Sequence, residues 1–272
     1  MPNIHEEDNQ IFLGLYTALS RTKSSVRVQY IKILEAQKYF FKNTTTLVDL
    51  ERQAKTLELL DDALHKFYLG SYALEQLWAV QNYLKNSVYK NPNFDSKLTY
   101  QQDEITFLLA AIFDQALYSW RSFLDFYLKY LLFFLTGNYI VTISTKKFKT
   151  DITSHINQNP NDKKAELVYD YIRKKVLSKT FDGETDSWGD LLRDLRDKTA
   201  HKKLINPTII ENKNNQGIVI SWPTIKGLNY SELAQHSFEN SAFEMLVELF
   251  PILYEMEWVP GLFKEGMFSQ HI

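Results

Sequence analysis

Apolar positions late in the chain recur at helical spacing. Trp188, Leu191, Leu192 and Leu195, with Thr199, form one buried stripe of a helix predicted over 187–204. Ser187 suits the N-cap, with Asp190 three residues later as a weak capping-box partner. Pro207 lies just beyond and cannot continue the helix. At about 100° per residue, Arg193, Asp197, Ala200, His201 and Leu204 fall opposite the stripe, with Arg196 at its shoulder. A solvated face would carry only polar residues. Ala200 and Leu204 among two arginines, an aspartate and a histidine suit a covered polar surface, against which a second subunit or a ligand packs.

The same reading predicts a mostly helical chain. Residues 9–42 form one or two helices, with Val26, Tyr30, Ile33, Leu34, Gln37 and Phe41 on one face. Residues 45–90 form a long helical stretch with a possible break near Gly70. Lys90-Asn91-Pro92-Asn93 is a clear break, and divides an N-terminal helical segment (1–92) from a second domain (93–272). Residues 103–136 are apolar almost all round and predict a central, buried helix ended by Gly137. Residues 138–162 read as irregular, with a short extended run at Tyr139–Ser144 and turn chemistry at Asn157–Asp162. Residues 163–179 form an amphipathic helix whose Lys174-Lys175 side suits solvent, or phosphate contact. Thr208–Glu211 and Ile218–Trp222 are β-type runs around a turn, a small hairpin after the 187–204 helix. A final helix spans Phe238–Glu257, kinked or split by Pro251, and the tail Val259–Ile272 is loose.

Charge changes this picture at one place. Asp114, Arg121, Asp125 and Lys129 interrupt the apolar helix, so it is not a membrane span. They lie near one stripe. Either they form an ion-pair ladder, Arg121 with Asp125 and Asp125 with Lys129, or Asp114 or Arg121 stands beside Arg196 in a cleft.

Composition narrows the chemistry further. With 44% hydrophobic residues in 272, a sizeable core is expected. The net charge of −2 excludes the global basic field of a nucleic-acid coat protein, so any RNA contact must be local. There is no cysteine, hence no disulfide, thiolate metal site or cysteine nucleophile. The acidic, polar start is not a signal peptide, and a cytoplasmic location is the expectation. The glycines are scattered and make no phosphate cradle, and neither H-E-x-x-H nor G-x-S-x-G occurs. The histidines do not cluster, so neither a metal nor another cofactor is expected. His65, one turn after Asp61, reads as half of a surface pair.

Within the predicted helix over 187–204, Asp197 lies one turn before His201 and can orient its imidazole. Asp197 is also i,i+4 to Arg193. Arg196 and His201 are five residues apart, roughly 140° around a helix, and do not stack. If they act together, the helix breaks near Thr199 or a cleft is completed from elsewhere. A two-fold pairing of such helices would bring two arginine and histidine sets together.

R-D-K-T-A-H (Arg196 to His201), followed by Lys202-Lys203, resembles the R-x4-6-H signature of HEPN domains. The resemblance covers roughly residues 100–257. It implies an all-α helical bundle, here with extra N-terminal helices, and a homodimer through the 193–204 face. It further implies a metal-independent endoribonuclease of the toxin–antitoxin, phage-defence or RNA-processing kind. Arg196 would hold the scissile phosphate, His201 would move the proton of the ribose 2′-OH, and Asp197 would support it. Arg193, Lys202 and Lys203 would bind substrate RNA. Gly70-Ser71 resembles the start of the nucleotidyltransferase motif that partners such toxins, but no paired acidic residues follow it. An antitoxin would therefore be a separate chain. Two other readings stand beside this one. In the first, a HEPN-like module binds RNA, a nucleotide or a protein without cleaving. In the second, Arg196 and His201 belong to an ordinary polar helix face tied to Asp194 or Asp197.

Overall fold

The computed structural model describes residues 31, 33–38, 40, 50–83, 99–139, 143–183, 187–201, 208–211, 218–221 and 228–255. They are predominantly helical. A short helical segment within 31–40 is followed by α1 (Leu50–Tyr83), α2 (Thr99–Thr136), α3 (Thr145–Gln158) and α4 (Lys163–Tyr171). A π-helical turn (Ile172–Val176) leads to α5 (Ser178–Asp182) and α6 (Trp188–His201). Strands β1 (Thr208–Glu211) and β2 (Ile218–Ser221) pair antiparallel, Thr208 opposite Ser221 and Glu211 opposite Ile218. Helix α7 (Tyr230–Leu233), a second π turn (Ala234–Glu239) and α8 (Asn240–Tyr254) complete the chain. The residues joining β1 to β2, the break at Lys90–Asn93 and the tail from Val259 lie outside the described residues. Among the described residues, no helix is long and apolar enough to cross a membrane.

Helix α2 is the axis. Phe113, Leu117, Trp120, Phe123, Leu124, Leu128 and Leu131 are buried on one broad face. Burial all round, which the apolar pattern predicts for the whole helix, is reached only at Tyr130–Phe133, whereas Phe107, Leu108 and Tyr118 are exposed. Helix α1 runs along it. The possible break near Gly70 is not there: α1 is unbroken from Leu50 to Tyr83. Gly70 instead marks a close approach, since a Cβ at that position would sit 2.4 Å from Trp120 Nε1. A glycine missing its side chain for packing reasons looks, in sequence, like a helix breaker. Helix α2 ends at Gly137, whose positive φ of 73° lets its N–H reach Phe133 O at 2.8 Å.

The segment within 31–40 joins the same core through a buried polar knot. Tyr130 OH donates to Gln37 Oε1 at 2.8 Å, Tyr254 OH donates to the same oxygen at 3.1 Å, and the two hydroxyls lie 2.8 Å apart. Burial pushes both phenols above their usual range, so they persist as donors. One side chain thus ties three helices, and Ile33 and Ala36 share a contiguous core with α2 and α8.

Three predicted segments differ. Within 138–162, a turn stands at 159–162 as expected, and 140–142 lie outside the described residues. The irregular reading fails over 145–158, where α3 lies, capped by Ser144, whose hydroxyl accepts from Lys147 N–H at 3.1 Å. Its buried stripe is sparse, Phe148 and Ile152 beside Thr145, and the threonines around it blunt the helical signal. The helix expected over 163–179 stops at Tyr171 and passes through the π turn, because Ile172, Val176 and Leu177 must all reach the core. The last helix starts earlier than Phe238, at Tyr230, and is not split by Pro251, which sits in the final turn of α8. Glu255, at φ 56°, closes that turn onto Pro251 O and pairs with Lys164 at 2.9 Å.

Gly70→Ala is expected to lower stability by about 1–3 kcal/mol, because the new methyl meets a rigid indole in a packed seam. Urea unfolding of the variant beside wild type measures it, and an unchanged midpoint would contradict the close approach.

Candidate functional site

Helix α6 reaches its place through small residues and a buried carboxylate. A Cβ at Gly189 would lie 2.6 Å from Val176 O and 3.0 Å from Leu124 Cδ2, so the first turn of α6 presses on the π turn and on α2. Leu192 and Leu195 bury behind it, with Trp188 and Leu191 packed at the edge. Asp190 is fully buried. Its Oδ2 accepts from Ser187 Oγ at 2.9 Å and from Lys179 N–H at 3.0 Å. Its Oδ1 accepts from Thr180 Oγ1 at 2.5 Å and faces Arg193 at 3.5 Å. A buried charge persists only when paired and hydrogen-bonded, and these contacts satisfy it. The capping-box reading therefore understated Asp190: it clamps α5 to α6.

Arg193 turns back from the outer face. One nitrogen, Nη1, donates to Thr145 Oγ1 and to Thr180 Oγ1, each at 3.0 Å. Lys179 completes the seam by pairing with Asp194 at 3.2 Å. Arg193 thereby becomes one wall of a groove of about 860 Å³ between α3, α5 and α6. The groove is lined by Lys146, Lys149, Arg193 and by hydroxyl and amide side chains of α3. The predicted sharing of Asp197 with Arg193 gives way to pairs with Asp190 and, at 3.9 Å, Asp194.

Arg196 and Asp197 are brought together instead. Arg196 Nη1 meets Asp197 Oδ1 at 3.3 Å, and its guanidinium carbon lies 5.9 Å from the Tyr118 ring centroid on α2. One and two helical turns further along α2, Arg121 and Asp125 pair at 2.5 Å, the first rung of the predicted ladder. The second cation, Lys129, donates to Tyr139 OH at 3.3 Å. Burial pushes the Asp125 carboxyl up to about 6 against the opposing charges of Arg121, Arg196 and Arg193. Asp125 thus lies near the arginines of α6, and its pair with Arg121 is the rung that the ladder reading of this stripe expected. On the same stripe, burial alone pushes Asp114 up to about 6, and its Oδ1 has no hydrogen-bond partner among the described residues.

Helix α6 continues unbroken through Thr199, whose hydroxyl caps back onto Arg196 O at 2.9 Å, to His201. The His201 side chain, Lys202 and Lys203 lie outside the described residues. Sequence reasoning missed Tyr118 and the polar face of α3. Tyr118 carried a signal, an aromatic on the charged stripe of an otherwise apolar helix. Among the other histidines, His155, in the last turn of α3, bonds Asp162 at 2.9 Å, the residue that caps α4. Among the described residues, no group of three or more histidines and carboxylates could hold a metal ion. No family model, curated protein or solved structure matches the chain.

Asp190→Ala is expected to cost about 2–4 kcal/mol, since it strands Arg193 and three donors at once. Thermal unfolding checks the magnitude. A loss within about 0.5 kcal/mol of zero would mean that the clamp does not hold α6.

Proposed function

We propose that the protein is a HEPN-like, metal-independent endoribonuclease whose site is completed by a second copy of the chain. The observation that carries this reading is the unbroken course of α6 from Trp188 to His201. A continuous helix sets Arg196 and His201 roughly 140° apart, so one copy cannot aim both at one phosphate. Two copies across a two-fold axis can, because an isologous contact repeats each residue on the other side.

The surface around Arg196 supports a second copy. Phe107 and Tyr118 are 61% and 57% exposed, and lie about three turns apart on one side of α2. Exposed aromatics in a row beside a partly exposed arginine suit a subunit contact. Arg196 is also cheap to recruit. Its pair with Asp197 is between exposed neighbours at 3.3 Å, and such pairs contribute little. A phosphate accepting both guanidinium nitrogens would displace it.

The reaction follows from these groups. The His201 imidazole takes the proton of the ribose 2′-OH, and the 2′-oxygen forms a bond to phosphorus. Arg196 stabilises the charge that gathers on the non-bridging oxygens. The bond to the 5′-oxygen breaks, and that oxygen leaves with a proton. The products are a 2′,3′-cyclic phosphate and a 5′-hydroxyl. Asp197, one turn before His201, holds the imidazole in its working tautomer.

A second reading, an RNA- or nucleotide-binding module that does not cut, is favoured by Arg193. That arginine is spent on Asp190, Thr145 and Thr180, shaping a groove rather than joining Arg196. The separating experiment is RNA cleavage in EDTA by wild type, Arg196→Ala and His201→Ala. The endoribonuclease reading expects cyclic-phosphate ends from wild type and a loss of at least a hundredfold in both variants. Folded wild-type protein that leaves every RNA pool intact would overturn it in favour of binding.

A further inference from the structure

Helix α3 carries a second, independent polar feature. Lys146, Lys149, Thr150, Thr153 and Ser154 recur at helical spacing opposite the buried Phe148 and Ile152, and line the groove of about 860 Å³. The opposite wall is Arg193, and Thr180 stands between them. Among the described residues lining the groove there is neither a carboxylate nor an aromatic ring. The acidic groups nearby are already paired: Asp151 with Lys147 at 2.8 Å, and Asp190 and Asp194 with Arg193 at 3.5 and 3.9 Å.

Two of the three cations are fixed in advance. Lys149 Nζ donates to Phe181 O at 2.6 Å, and Arg193 is held by two threonine hydroxyls. Lys146 stands exposed at the rim. Cations held in place by the protein add a positive field with little ordering cost when an anion arrives. Helix α3 also begins at this end, with no acidic residue in its first turn, so its dipole has the same sign there.

We infer that this groove binds the sugar–phosphate backbone of single-stranded RNA, Lys146, Lys149 and Arg193 facing phosphates and the α3 hydroxyls facing ribose. The choice of RNA rests on the endoribonuclease reading above; the groove itself does not. A nucleotide recognised by its base would need a stacking surface, which the described lining lacks. A lone phosphate would leave most of the volume empty. The face from Lys146 to Asn157 runs for about 16 Å, long enough for a strand of several units. Its hydroxyls and amides can donate to and accept from 2′-hydroxyls, the group that separates RNA from DNA.

The test is fluorescence anisotropy of a labelled single-stranded RNA dodecamer in EDTA, with Arg196→Ala as the background so that the probe stays intact. Lys146→Glu with Thr150→Glu changes two exposed positions and leaves the core alone. The expected result is binding at least tenfold weaker, with a salt dependence shallower by roughly one phosphate contact. Lys163→Glu, on an exposed pair away from the groove, should change affinity by less than twofold. Unaltered binding in the double variant, equal weakening by Lys163→Glu, equal affinity for the matching DNA, or no binding at all would each overturn the inference. Failure of the nuclease reading leaves a different signature: RNA held through the groove, yet uncut by wild type. Failure of the groove leaves RNA cut at Arg196 and His201 with binding indifferent to Lys146 and Thr150.

Discussion

The structure depends on burying one broad face of α2. Phe113, Leu117, Trp120, Phe123, Leu124 and Leu128 share that face, and other helices must cover it, while the side that carries Phe107 and Tyr118 stays exposed. Each neighbour solves that problem differently. Helix α1 gives up a side chain at Gly70 to admit the Trp120 indole, and α6 gives one up at Gly189. The segment within 31–40 and α8 meet α2 through the Gln37, Tyr130 and Tyr254 knot, where each hydroxyl finds a partner without water. Asp114, Arg121 and Asp125 lie on the stripe of α2 left outside that face, and Asp125 is near the arginines of α6.

Function, on this account, grows from how α6 is held. Asp190 is buried with four donors around it, and it fixes the angle at which α6 leaves α5. The clamp sorts the arginines. Arg193, on the same turn, is drawn inward and becomes part of a groove wall. Arg196, one turn later, stays at the surface over Tyr118. A single carboxylate thereby separates a place suited to holding a strand from a place suited to acting on it. The two are joined by the rigid body of α6, so a ligand along α3 would lie at a set distance from the proposed cleaving groups.

Much of this was legible in the sequence. The all-round apolar pattern of 103–136 marked the central helix, and the stripe of Leu192 and Leu195 marked the buried side of α6. The parts that were not legible have physical causes. Gly70 reads as a breaker because sequence does not distinguish missing bulk from backbone freedom. Helix α3 hid because two large apolar side chains are enough to bury it once Ser144 caps it, and its threonines blur the period. Arg193 lay on the outward side by helical geometry alone, but a long side chain can reach back one turn to Asp190, whose burial the spacing does not reveal. The π turn at Ile172–Val176 is hard to see in sequence, since it arises where Ile172, Val176 and Leu177, four and five residues apart across three basic residues, must all face one core.

The proposed composite site requires two copies of the chain meeting across the exposed row of α2 beside Arg196. Sedimentation equilibrium of the full chain at tens of micromolar tests that requirement most directly, with Tyr118→Glu run alongside. A dimer for wild type and a monomer for Tyr118→Glu is the predicted result. Wild-type protein that stays monomeric across that range would contradict the account, since one continuous α6 cannot aim both Arg196 and His201 at one phosphate.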